Sequence, residues 1–156
     1  MVRSHLEYAS ITYGPCSQAD TATLDRIQRK FLRFLNFKLK ISFPLIDYHS
    51  LQISFNLTDL SLRRNYFDLI FFNKLLHGYI ESPQLLPSIS FHASHHNRRN
   101  PQLFDVPYCK NNFPKFSPII RMMRSASTLC YSVNIIQIEF NVLKKFLINF
   151  YYNYIF

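Results

Sequence analysis

Tryptophan is absent from this chain, and only 2 of its 156 residues are glycine. So little glycine excludes the Gly-rich loops that cradle phosphates, and it argues against a turn-dense β fold. Cysteine is almost as sparse. Cys16, Cys109 and Cys130 stand far apart, and no CxxC pair occurs. An odd, dispersed trio is neither a disulfide scaffold nor a zinc knuckle, and it fits a reducing intracellular compartment, nucleus or cytoplasm. Glu7 and Ser10 interrupt any apolar stretch that a signal peptide would need. Acidic residues number 9 and are scattered, with no two aspartates adjacent. Metal-assisted phosphoryl transfer needs clustered carboxylates, so the sequence reads as non-catalytic, with no cofactor or metal expected.

Bases are plentiful where acids are not. Lys and Arg total 18, giving a formal charge of +9, which points to a polyanionic partner. Hydrophobic residues make up 48% of the chain, with 16 Phe and 10 Tyr. That is enough apolar material for one buried core, so residues 1–156 are read as a single domain or a fragment of one.

Periodicity predicts a mainly α fold, a small domain of four to five helices. Val2, Leu6, Ala9 and Tyr13 share a face of a helix over 2–13, which Gly14-Pro15 ends. A second helix spans about 20–37, with Asp20 or Thr23 as its cap and Leu24, Ile27, Phe31, Phe34 and Leu35 on its apolar side. A third covers about 58–77, capped by Thr58 or Asp59 and closed by Gly78. It is apolar on most sides after Arg64, and so is expected at the centre. A long Pro-rich irregular segment follows, about 81–118, with one turn at "SPQLL" and at most a short hairpin between "SISF" and "LFDVPY". "SPIIRMM" opens a further helix, and the last helix is expected at about 134–155, with Ile136, Phe140, Leu143, Leu147, Phe150 and Tyr154 in one stripe. Glu139, Lys144, Lys145 and its asparagines disfavour a membrane span there.

"VRSHLEYASITYGP", "LDRIQRKFLRFL", "DLSLRRNYFDLIFFNKLLHGYIESPQLL" and "SPIIRMMRSAS" follow one another in an order that resembles the C-terminal, post-thumb region of non-LTR (LINE-type) retrotransposon reverse transcriptases. The resemblance covers most of residues 2–125. It implies a segment of an RNA-directed DNA polymerase that lacks the polymerase and endonuclease domains. Met1 would then be the start of a truncated reading frame, and the missing polymerase domains of a parent protein would be partners. The family carries Trp near position 13, where this chain has Tyr13, and its aromatic-x-Asp-Asp turn has no counterpart here. A face left bare by the absent thumb would favour self-association.

The candidate nucleic-acid contacts are cations. Arg26, Arg29, Lys30 and Arg33 recur at helical steps against only one acid, Asp25, and without Glu partners, and Lys38 and Lys40 continue the run. Arg63, Arg64, Arg98, Arg99, Arg121 and Arg124 add further basic points, although Arg121 and Arg124 could equally bond carbonyls that end another helix. Phe91, Phe104, Tyr108, Phe113 and Phe116 lie near arginines in the irregular segment and are candidate platforms for bases. His92, His95 and His96 cluster without the spacing of a zinc site, and no cysteine pairs with a histidine in a catalytic motif. RNA or DNA bound through phosphates is therefore the first expectation. The competing one is a basic membrane-surface protein whose final helix lies in the interface with Lys144 and Lys145 toward anionic lipid.

Overall fold

The structure, a computed structural model, describes residues 7, 9–15, 17–39, 48–55, 57–92, 103–129 and 134–152. It is mainly helical, and no extended strand is present among the described residues. Helix α1 covers Gln18–Leu39, α2 Tyr48–Ser54, α3 Leu60–Leu76, α4 Asn112–Lys115, α5 Pro118–Leu129 and α6 Phe140–Tyr152, with a 3-10 turn at Leu86–Ser88. The Pro-rich stretch contributes that turn, α4 and a single antiparallel bridge between Phe91 and Phe104.

Helix α3 is central, as its all-round apolar character predicts. Its second half, with Leu69, Phe72 and Leu75, packs into one cluster with Met122, Met123 and Ala126 of α5 and Leu143 and Leu147 of α6. Phe104 closes the cluster from the irregular segment, its ring 5.2 Å from that of Phe72 in an edge-on contact. Leu32 of α1, Leu51 of α2 and Leu60 of α3 are buried outside that cluster. Gly78 has φ +73°, and the Gly78 and Tyr79 amides donate to the Leu75 and Lys74 carbonyls, which is the Schellman ending that the sequence position predicts.

Several expectations are corrected. The first helix does not reach residue 13. Ala9 has φ 51°, and residues 9–12 form a turn in which the Thr12 and Tyr13 amides donate to the Ala9 carbonyl. Residues 1–6 lie outside the described residues. Helix α1 begins before Asp20. Ser17 is its cap, accepting from the Asp20 amide while its hydroxyl donates to the Asp20 carboxylate at 2.8 Å. Asp59 stands at the cap position of α3, but its carboxylate accepts from the Ser61 hydroxyl rather than from a backbone amide. The chain finds an additional helix, α2, that periodicity did not predict.

The last helix starts at Phe140 rather than at 134, and the cause lies in α3. Asn73 is fully buried, and its amide donates to the carbonyls of Ile135 and Ile138, both at 3.2 Å. Those carbonyls are thereby held in a turn, within which Asn134 Oδ1 accepts from the Ile136 amide. The turn puts Ile135 inside and leaves Ile136 exposed, the reverse of the expected stripe.

Leu69→Asp should abolish cooperative unfolding. A buried unpaired carboxylate costs several kcal/mol, comparable with the roughly 5–15 kcal/mol stability of a whole domain. A thermal melt followed by circular dichroism that still shows a wild-type transition would place Leu69 outside the core.

Candidate nucleic-acid interface

The described cations divide by burial into two groups. Arg26, Arg29, Lys30, Arg33 and Lys38 of α1 are all exposed. Gln28 and Leu32 are the buried residues of that helix, so the exposed side is fixed by what packs on α3 and α2. Arg26, Lys30, Arg33 and Phe37 follow one another at steps of four, three and four along the exposed face. Phe37 is 83% exposed and Phe34 57%, and Ile27 is also exposed. The apolar stripe expected for α1 is thus corrected. Its buried face is rotated toward Gln28, whose side-chain oxygen accepts from Arg63 Nη2 at 3.3 Å. Arg124 is exposed on α5. Lys40, Arg98, Arg99, His95, His96, Cys16 and Cys130 lie outside the described residues.

Arg63, Arg64 and Arg121, expected as phosphate contacts, do not join the exposed stripe. Arg63 is buried and pairs with Glu7, Nη1 to Oε1 at 2.6 Å. Arg64 is buried too, and desolvation lowers its pKa from the ordinary guanidinium value, while nearby Asp25, Asp59 and Asp68 work to keep it charged. Arg121 binds Asp68 through two parallel bonds, Nε to Oδ2 at 2.7 Å and Nη2 to Oδ1 at 2.9 Å. Its Nη2 also donates to the carbonyls of Ile11, at 2.7 Å, and Ser10, at 3.3 Å. One guanidinium therefore joins α5, α3 and the 9–12 turn. Burial pushes the Asp68 carboxyl up, and the bonds and charge of Arg121, with the charge of Arg64, oppose that rise.

Gly14 makes room for this arrangement. A Cβ there would lie 1.7 Å from Arg121 Nη1, a distance no side chain tolerates. The Gly-Pro pair was expected only to stop a helix, but the glycine also lets the backbone approach the guanidinium.

The aromatic candidates divide as the arginines do. Phe104 is a core residue, whereas Tyr108 is 90% exposed and Phe91, in the same irregular segment, is also exposed. Phe116 is half-buried under Lys115, and nothing is described of the Phe113 side chain. His92 is exposed, and its amide donates to the Leu103 carbonyl beside the Phe91–Phe104 bridge. Among the described residues, no group of three His, Cys, Asp or Glu is arranged to hold a metal ion. No described helix is long and apolar enough to cross a membrane.

The pairing of Asp68 with Arg121 escaped sequence reasoning, although each residue carried a signal. Asp68 is a lone acid within the apolar run "YFDLIFF", and Arg121 is a lone cation within "PIIRMM". Isolated opposite charges on two core-facing helices demand a partner, and each is the other's. No family model, curated protein or solved structure matches the chain.

Arg121→Leu should cost about 3–5 kcal/mol, because it leaves the Asp68 carboxylate buried without its cation. Arg124→Leu, at an exposed position, should change stability by less than about 0.5 kcal/mol. Denaturant midpoints for the pair test this, and equal effects would contradict it. Alkaline titration gives a second test. Burial first, and the charge of Asp68 second, push the Tyr151 phenol from 10 up to about 12. A raised folded-state pKa gives a contribution that is complete below pH 10 and is lost as pH rises through 12. Tyr151→Phe should therefore lose stability less steeply across that window than the wild type.

Proposed function

We propose that the chain is a non-catalytic nucleic-acid-binding segment, of the kind that follows the thumb in LINE-type reverse transcriptases. It holds template RNA or target DNA by backbone phosphates and braces polymerase domains of a parent protein. The observation that carries this reading is the sorting of its cations. The buried arginines neutralise internal carboxylates, while Arg26, Arg29, Lys30, Arg33 and Lys38 remain in water together on one helix. Such a stripe binds a chain of phosphates by releasing condensed counterions. The order of motifs supports the connection to a polymerase.

The competing membrane-surface reading requires an apolar helix face free to enter a bilayer. In α6 that face is occupied. Leu143 and Leu147 are buried in the core, while Lys144 and Lys145 are exposed. In α1, Phe37 sits within the cation stripe rather than on a separate apolar side, whereas interfacial helices segregate the two. Exposed Phe34, Phe37 and Leu39 are better suited to the absent polymerase domains, to bases or to a second copy.

Arg26, Lys30 and Arg33 changed together to Gln should keep α1 helical, since Gln is a good helix former. Binding should weaken on every sequence alike, because phosphate contacts position but do not specify. The log–log salt slope should flatten by about two to three units, at about −0.7 per contact for single strands and −0.9 for duplex. Fluorescence anisotropy with labelled RNA and DNA across a salt series measures it. An unchanged slope in a folded variant would reduce the stripe to a solvated surface. Primer extension with Mg²⁺ should be absent from a pure sample, and template-dependent incorporation would overturn the non-catalytic reading.

A further inference from the structure

Helix α1 is inverted in polarity. It buries Gln28 and leaves Ile27, Phe34 and Phe37 exposed. Helical spacing places Arg26, Lys30, Arg33 and Phe37 in one row, with Ile27 and Phe34 in the row beside it. Lys30 and Lys38 lie one turn on either side of Phe34, and Arg33 lies one turn before Phe37. From Arg26 to Phe37 this face runs about 16 Å at the α-helical rise. Among the described residues, neither phenylalanine ring stacks on another aromatic or under a cation. The acids of α1 are engaged elsewhere. Asp20 is bonded to Ser17 at the cap, and Asp25 is half-buried with Arg29 and Arg64 near it. Arg29 lies over the Tyr48 ring, 4.8 Å from its centroid, and stands apart from the row.

The interleaving of rings and cations narrows the occupant. An apolar protein surface would cover the rings only by desolvating the cations between them, which is costly without anions in return. A second copy seated α1 against α1 would set Arg26, Lys30 and Arg33 against the same cations of its partner. A nucleic-acid strand carries flat apolar rings and anions in alternation, which is the order this face presents. In a duplex the base faces are covered by neighbouring pairs. A single strand can turn its bases outward onto aromatic side chains.

We infer that this face of α1 is a platform for single-stranded nucleic acid, on which Arg26, Lys30 and Arg33 hold phosphates while Phe34 and Phe37 stack unpaired bases. The inference rests on the phosphate-binding reading of α1 and adds to it a preference for unpaired strands. The platform tolerates any sequence, since every base offers a π-face.

The test uses the full chain with three labelled probes: a 12-nucleotide oligouridine, a strand of the same length with abasic sites, and a 12-base-pair duplex. The abasic strand keeps the phosphates and removes the bases. Oligouridine should bind at least about ten-fold tighter than the abasic strand, with the same salt slope. The double variant Phe34→Leu, Phe37→Leu stays apolar and helix-forming but loses both flat faces. It should erase that difference and leave the slope and duplex binding unchanged. The chain has no tryptophan, so Phe37→Trp places its one indole on the platform. Its emission should be quenched by oligouridine and not by the abasic strand. Equal wild-type affinity for oligouridine and the abasic strand, with a steep slope, would overturn the stacking platform and leave the phosphate reading standing. Absence of quenching by a strand that binds tighter than its abasic counterpart would overturn the placement on α1. Failure to bind any probe would overturn the phosphate reading and the platform with it. Sedimentation that shows a dimer abolished by the double variant, with strand binding unchanged, would assign the face to a second copy instead. If the double variant fails to melt cooperatively, the wild-type comparison and the Phe37→Trp emission decide the matter.

Discussion

The pairing of Arg121 with Asp68 is the constraint around which the rest of the molecule is arranged. A carboxylate with 1% of its side chain exposed can stay ionised only beside a cation held in register, and α5 supplies that cation. The same guanidinium accounts for carbonyls of the 9–12 turn, which would otherwise be left partly unsatisfied. It also dictates a residue without a side chain at position 14. Three separate stretches of sequence, residues 10–14, α3 and α5, are thereby fixed by one planar group. The apolar cluster below it supplies most of the free energy, but it is non-directional. The charged pair determines how α3 and α5 are set against each other.

Asn73 plays a similar part at the other end of α3. Its single amide holds two carbonyls of the segment entering α6, and so determines where that helix begins. Polar groups at buried positions of α3 thus specify the placement of its neighbours, while Leu69, Phe72 and Leu75 specify only that neighbours must be there. Once the interior arginines are committed to carboxylates, the cations of α1 are the described set still gathered on one solvent-facing surface. The same burial of internal charge that organises the fold also decides which residues can meet an external polyanion.

Much of the helical content was legible in the sequence, because α1 and α5 are periodic, α3 ends at Gly78 and α5 opens on Pro118. The central position of α3 followed from its lack of a polar side. What failed was phase and terminus. Ile27 and Phe34 read as core residues because they are apolar, yet a polar pair, Gln28 with Arg63, occupies the buried side instead. The start of α6 depends on a side chain more than sixty residues away, which no local window contains. The exposure of the α1 cations was legible because four of them recur at helical steps against a single acid, Asp25. The inward placement of Arg63, Arg64 and Arg121 was not legible, because charge alone does not tell a solvated arginine from one that faces a buried carboxylate.

The position of Leu32, Leu51 and Leu60 outside the main cluster has a dynamic consequence. Regions with fewer apolar contacts open at lower free energy than those inside the core. Backbone amides of α3, α5 and α6 are therefore exposed to exchange mainly when the whole molecule unfolds, whereas α1 and α2 can come away in a partial opening that leaves the cluster intact. The helix that carries the cation stripe is seated by buried Leu32 and by the bond from Arg63 to Gln28, apart from the main cluster. It can shift its own seat by small rearrangements without disturbing the cluster beneath it.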